Sequence, residues 1–145
     1  MAIRDADMHG LSWSKLPVGL DMALPFLGLR VVGNRGASRI DGVLSTAIGY
    51  VSGSNQRVVF MVGDISFIHD TNGLTLLKER AERPPITVLV INNHGDAIFG
   101  QLPIADTAPA TIFRNFFSTP HDVSISNLCL AHGVKHMPVQ NKARA

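Results

Sequence analysis

Four positions in this chain have the residue types and spacing to hold a cation and a phosphate: Asp64, Ser66, Asn93 and Gly95. Asp64 offers a carboxylate, Asn93 an amide oxygen, and the chain at Gly95 a backbone carbonyl. Hard oxygen donors of this kind suit magnesium, which keeps octahedral oxygen coordination and commonly shares its site with substrate phosphates. Ser66, together with the backbone amides of a helix starting there, can meet those phosphates. Either half alone has a plainer explanation. Asp64-Ile65-Ser66 also reads as a helix-capping turn, and Asn92-Asn93 as a loop. The two together, with 28 residues between Asp64 and Asn93, are what favour a site.

The elements that must position these residues are legible around them. Val58-Val59-Phe60-Met61-Val62 runs into Gly63-Asp64, and Ile86-Thr87-Val88-Leu89-Val90-Ile91 runs into Asn92-Asn93. Both runs are strand-length, rich in β-branched residues and uncharged, which is how strands covered on both faces of a parallel sheet read. Between them, Phe67, Ile68, Leu74, Leu77 and Ala81 recur at roughly helical spacing, which predicts a helix from Phe67 to Arg83 that stops at Pro84-Pro85. The unit is therefore β-α-β with a right-handed crossover, and it delivers its polar residues at the C-terminal strand ends, where open α/β sheets place ligands. Upstream, Leu29 to Val32 predicts a short strand entering Gly33-Asn34-Arg35-Gly36, where glycines permit a tight turn and Arg35 offers a fork suited to a carboxylate. Ile40 to Val51 predicts a helix that Ser38 can cap, and Ile40 by spacing alone is an ordinary core residue of that helix. Residues 10–30 read as a linker, 103–121 as a long loop around Phe113, Phe116 and Phe117, Ile125 to His132 as a helix ended by Gly133, and Val134 to Val139 as a last strand.

Composition excludes several classes. The 145 residues suffice for one domain with a real core, and 46% hydrophobic with 17% charged residues is ordinary for a buried α/β protein. A net charge of +2 with scattered basic residues makes no nucleic-acid patch. No apolar run approaches the roughly 20 residues needed to span a bilayer. One cysteine rules out an internal disulfide framework and fits a reducing compartment. Residues 1–9 lack the apolar core of a secretory signal. Cys129, His132 and His136 invite a zinc reading, but Gly133 separates the histidines and no fourth ligand is near, so Cys129 reads as core. The six histidines show no general-base pairing.

The Gly63-Asp64-x-Ser66 start, the helix and the Asn92-Asn93 end resemble the diphosphate-binding motif of thiamine-diphosphate enzymes. Ile65, where most of that family has glycine, is typical of one branch, 2-succinyl-5-enolpyruvyl-6-hydroxy-3-cyclohexene-1-carboxylate synthase (the MenD family) of menaquinone and phylloquinone synthesis. Gly33 to Ser38 followed by Ile40 to Ala47 resembles the branch's most specific signature, and Ile98-Phe99 with Leu102-Pro103 resembles its following loop. Phe67 to Leu74 and Asn127 to Val134 look like the plant form. The resemblance covers nearly the whole chain and is weakest over residues 10–29 and the last few.

The resemblance implies an open, mostly parallel α/β sheet with helices on both faces, incomplete at both ends. It divides the chain into 1–29, a truncated family motif plus linker, and 30–145, the thiamine-diphosphate domain. It assigns magnesium to Asp64, Asn93 and the Gly95 carbonyl, and thiamine diphosphate to Ser38, Ile40, Gly63, Asp64, Ile65, Ser66, Asn93 and Gly95. Ile40 becomes the bulky residue beneath a bent cofactor. Arg4 and Arg35 hold substrate carboxylates, and Ile98, Phe99 and Leu102 form the apolar wall against the substrate ring. The implied reaction joins decarboxylated 2-oxoglutarate to isochorismate. The activating glutamate lies in the family's pyrimidine-binding domain, so no catalytic acid is expected in this chain and its isolated activity is expected to be low. The resemblance implies a homo-oligomeric parent, and the plant-like stretches imply the chloroplast for it. Two departures stand out: Arg39 and Asp96 replace family glycines. They keep open a non-catalytic relic that at most binds cofactor or a partner, and a different thiamine enzyme of acetolactate-synthase type is a third reading.

Overall fold

The computed structural model describes residues 11–13, 31–33, 40–79, 82, 84–95 and 97–139. Its centre is an open sheet of four parallel strands, β1 (Leu11–Trp13), β2 (Val31–Gly33), β3 (Val58–Gly63) and β4 (Ile86–Ile91), in the order β2-β1-β3-β4. β3 and β4 pair in register from Val58↔Ile86 to Gly63↔Ile91, so the two strands end side by side. The α/β class and the open parallel sheet are those the sequence led us to expect. The placement of β1 is not. Leu11–Trp13, inside a stretch read as linker, pairs with β2 on one side and β3 on the other. Three residues are too few to show a period of two, so their strand character comes from the ladders on either side.

Helix α1 (Val43–Ser54) buries Val43, Leu44, Ala47, Ile48 and Val51, a stripe at helical spacing. This stripe meets Val58, Phe60 and Val62 of β3, with Phe67, Leu74, Ile125 and Cys129 completing the core. The helix starts three residues later than the sequence led us to expect. Gly42, at φ +72, is its N-cap and has no side chain to donate to, so Ile40 sits in the bend before the helix. Ser38, the cap expected from the sequence, lies outside the described residues. Among the described residues Asp70 supplies a cap: its Oδ2 accepts from the backbone N–H of Leu44 (2.6 Å) and of Ser45 (3.1 Å). These are the second and third helical positions, where an N-cap carboxylate normally acts.

The same Asp70 breaks the long helix expected from Phe67 to Arg83. The chain forms α2 (Asp64–His69) and α3 (Gly73–Glu79) instead, with Asp70 as the C-cap of α2. A Cβ at Gly73 would stand 3.1 Å from Leu44 Cγ and Ser45 Oγ, so the starts of α3 and α1 lie almost in contact. Arg80, Ala81 and Arg83 lie outside the described residues.

After β4 come a 3-10 turn (Ala97–Gln101), short helices α4 (Ile104–Thr107) and α5 (Ala110–Phe113), a π turn (Arg114–Ser118) and α6 (Ile125–Ala131). The segment read as a long loop is therefore largely helical turns. Phe117 stacks on Phe113 (5.8 Å, 12°) and meets Phe99 edge-on (5.5 Å, 73°), while Phe116, 70% exposed, stands outside this expected cluster. Ser124 caps α6 through Asn127 N–H. The helix ends at Gly133 (φ +66), with Val134 N–H on the Cys129 carbonyl and Gly133 N–H on that of Leu130. That reversal sends Val134 to Val139 away without a ladder, so no strand forms there; Met137 and Val139 are exposed.

Burial along β4 alternates. Ile86, Val88 and Val90 are half-buried on the core side, and Leu89 and Ile91 are exposed on the other. The continuous apolar run suggested cover on both faces. Among the described residues β4 is the sheet edge, and the core packs on one face of it. No described helix is long and apolar enough to cross a membrane.

Asp70→Ala should lower stability by about 2 kcal/mol, since it removes a cap and strands buried N–H groups, with Asp70→Asn recovering part of the loss in a denaturant titration. Burial pushes the Cys129 thiol up from its ordinary range, so alkylation at pH 8 should be at least ~10-fold slower in the folded chain than in urea.

Candidate functional site

The register of β3 and β4 brings Asp64 and Asn92-Asn93 to one edge of the sheet. Asp64 is the first residue of α2 and only 2% exposed. Its Oδ1 accepts from the backbone N–H of Ile65 (2.8 Å). Its Oδ2 accepts from Gly95 N–H at 3.0 Å, across 31 residues of sequence, and so ties the two strand ends together. Gly63 precedes it in extended conformation, and Ser66, 8% exposed, follows on the first turn of α2.

The loop after β4 is shaped to make this contact. Asn92 Oδ1 accepts from His94 N–H (3.0 Å), and the turn places His94 at φ +61 and Gly95 at φ +152. A Cβ at Gly95 would lie 2.5 Å from the Ser118 carbonyl oxygen, a clash between backbones that only glycine avoids. One terminal amide atom of Asn93 lies 2.6 Å from the Gly95 carbonyl oxygen and 3.3 Å from Asp64 Oδ2. Two arrangements satisfy these atoms. With the amide nitrogen on that side, it donates to both oxygens. With the amide oxygen there, three oxygens converge as a set that a cation can share.

The sequence-derived residues thus divide into three groups. Asp64, Asn93 and Gly95 come together, with Gly63, Ile65 and Ser66 beside them. Phe99 is half-buried against Phe117 and Leu102 is 45% exposed, both in the segment that follows the Asn-Asn loop. Ile98 belongs to the same 3-10 turn, and Ile40 is half-buried before α1. Arg4, Arg35, Ser38, Arg39 and Asp96 lie outside the described residues.

His121 is the residue sequence reasoning missed. Its Nε2 is 3.1 Å from Asp64 Oδ2, and its side chain is 11% exposed. The sequence showed no general-base pairing among the histidines, and this histidine–carboxylate pair is what it did not reveal. A separation of 57 residues leaves no spacing signal for such a pair. Among the described residues no group of three or more histidines, cysteines and acids gathers, at this site or elsewhere.

Comparison with known proteins bears on this geometry. Residues 29–145 match the family described as thiamine pyrophosphate enzyme, C-terminal TPP binding domain. The chain is similar to Protein PHYLLO, chloroplastic, of Arabidopsis thaliana, at 52% identity over 147 residues, covering 99% of this chain and 9% of that protein. It is 43% identical over 144 residues to the 2-succinyl-5-enolpyruvyl-6-hydroxy-3-cyclohexene-1-carboxylate synthase of Prosthecochloris aestuarii, covering 99% of this chain and 22% of the enzyme. The synthase of that name from Nocardia farcinica is 36% identical over 118 residues, or 81% of this chain and 22% of the enzyme. The chain spans less than a quarter of the length of these relatives. With four-fifths of its residues inside the match, the chain belongs to the thiamine pyrophosphate enzymes and carries their C-terminal TPP binding domain.

Proposed function

We propose that this chain is the diphosphate- and magnesium-binding domain of a synthase that joins decarboxylated 2-oxoglutarate to isochorismate in menaquinone and phylloquinone synthesis, a reading supported by its similarity to Protein PHYLLO and to the synthase of Prosthecochloris aestuarii. The observation that carries this reading is the convergence of Asp64 Oδ2, the Asn93 amide and the Gly95 carbonyl. Magnesium–oxygen distances of about 2.1 Å put neighbouring oxygens of an octahedron ~2.9 Å apart. The 2.6 and 3.3 Å separations here bracket that value. The donors are a carboxylate, an amide and a peptide carbonyl, the hard oxygen set this cation prefers. The residues present therefore fit the group.

In this reading Asp64, Asn93 and the Gly95 carbonyl hold the cation. Ser66 and the start of α2 meet phosphate oxygens from the same side. Ile40, half-buried before α1, supports the cofactor ring from below. When bound, thiamine diphosphate supplies the electron sink for loss of carbon dioxide. This chain's own part is to bind and orient: Arg4 and Arg35 take substrate carboxylates, and Ile98, Phe99 and Leu102 exclude water from the substrate ring. The activating glutamate comes from a pyrimidine-binding domain, so the isolated chain is expected to be inactive. A homo-oligomeric parent in the chloroplast fits the similarity to the plant protein.

Calorimetric titration of thiamine diphosphate tests the reading. Binding should require magnesium and fall at least ~100-fold in Asp64→Ala, because a site losing its one charged ligand loses several kcal/mol. Absence of binding would instead favour a relic that no longer holds cofactor. Exposed Leu89, Ile91, Leu102, Ile112 and Phe116 also lead us to expect self-association. A clean monomer by light scattering at tens of micromolar, on the order of a weak dimer's Kd, would count against it.

A further inference from the structure

His121 is not among the residues the diphosphate reading uses, yet four contacts hold it at the centre of that site. Its Nδ1 accepts from the backbone N–H of Val123 at 3.2 Å. A backbone N–H can only donate, so Nδ1 carries no proton and the neutral ring bears its hydrogen on Nε2. That hydrogen points at Asp64 Oδ2, 3.1 Å away. The backbone of His121 is pinned as well. Its N–H donates to the His94 carbonyl (3.4 Å), and its own carbonyl lies 3.4 Å from His94 Nδ1. Ser118 and Pro120 press on Gly95 from the same segment, so closely that no Cβ fits between them.

We propose that His121 is a positioning residue for the cation ligand Asp64: its Nε2–H holds the carboxylate in the rotamer that faces Asn93 and Gly95, and ties the segment carrying the Phe99, Phe113 and Phe117 cluster to the same point. The inference rests on the reading of Asp64 as a ligand. Outer partners of ligating groups set ligand orientation, and their loss commonly weakens metal binding by about 10- to 100-fold. Because His121 and the Gly95 contact join this segment to the loop after β4, ligand binding and segment ordering are linked, each favouring the other equally.

The test uses the full chain with His121→Phe, which keeps a ring and removes the N–H, and His121→Gln, whose amide nitrogen can reach where Nε2 stands. Magnesium-dependent thiamine diphosphate affinity should fall ~10- to 100-fold in His121→Phe and stay within about threefold of wild type in His121→Gln. Nitrogen NMR of the wild-type ring should report the Nε2–H tautomer. Equal affinity in all three proteins overturns the proposal. Tighter binding by His121→Phe also overturns it, since His121 would then compete with the cation. If wild type itself binds nothing, the diphosphate reading fails separately, and the ligand-free protein decides the inference. Hydrogen exchange at Gly95 and at residues 121–123 should then be faster in His121→Phe than in wild type, and unchanged exchange overturns it.

Discussion

A carboxylate taken out of water must have its lone pairs met by donors, and Asp64, 2% exposed, imposes that demand where two strands end. The donors come from three places in the sequence: Ile65 next to it, Gly95 after β4, and His121 beyond the helical turns. Satisfying one buried charge therefore fixes the relative position of the α2 start, the Asn-Asn loop and the 118–123 segment. The geometry around it tolerates little change. Gly95 has no room for a Cβ, and its φ of +152 suits glycine alone.

A second buried carboxylate does a matching job at the other end of α2. Asp70, 7% exposed, ends that helix and caps α1 through the Leu44 and Ser45 amides. Five residues thus separate an acid at the strand ends from one that fixes where α1 begins. Gly42 leaves α1 without a cap of its own, so the turn holding Ile40 is placed from outside, by the unit that carries Asp64. The two parts of the chain that the TPP domain would present to one cofactor are coupled in this way by a pair of hydrogen bonds.

The core that supports these contacts lies on one side of the described sheet, where α1 meets β3. Leu89 and Ile91 on the other side of β4, with Leu102, Ile112 and Phe116 in the following segment, leave apolar surface open to solvent. Contiguous apolar surface of this kind commonly marks a place where another domain or chain packs.

What the sequence determined by itself was the local part. Two uncharged β-branched runs define β3 and β4, the stripe from Val43 to Val51 defines α1, and Ser124 with Gly133 brackets α6, because each signal repeats within a few residues. Asp64, Asn93 and Gly95 could be placed near one another for a related reason: each lies within a turn of the end of a recognisable strand. Tertiary structure decided everything that depends on distant partners. Leu11–Trp13 is a strand only because β2 and β3 flank it. The helix expected from Phe67 onward breaks because the Asp70 carboxylate is drawn to α1, 25 and 26 residues away. Val134 to Val139 finds no ladder after its turn, and stays irregular. His121 reaches Asp64 across 57 residues, a distance at which spacing carries no information and only the folded chain brings donor to acceptor.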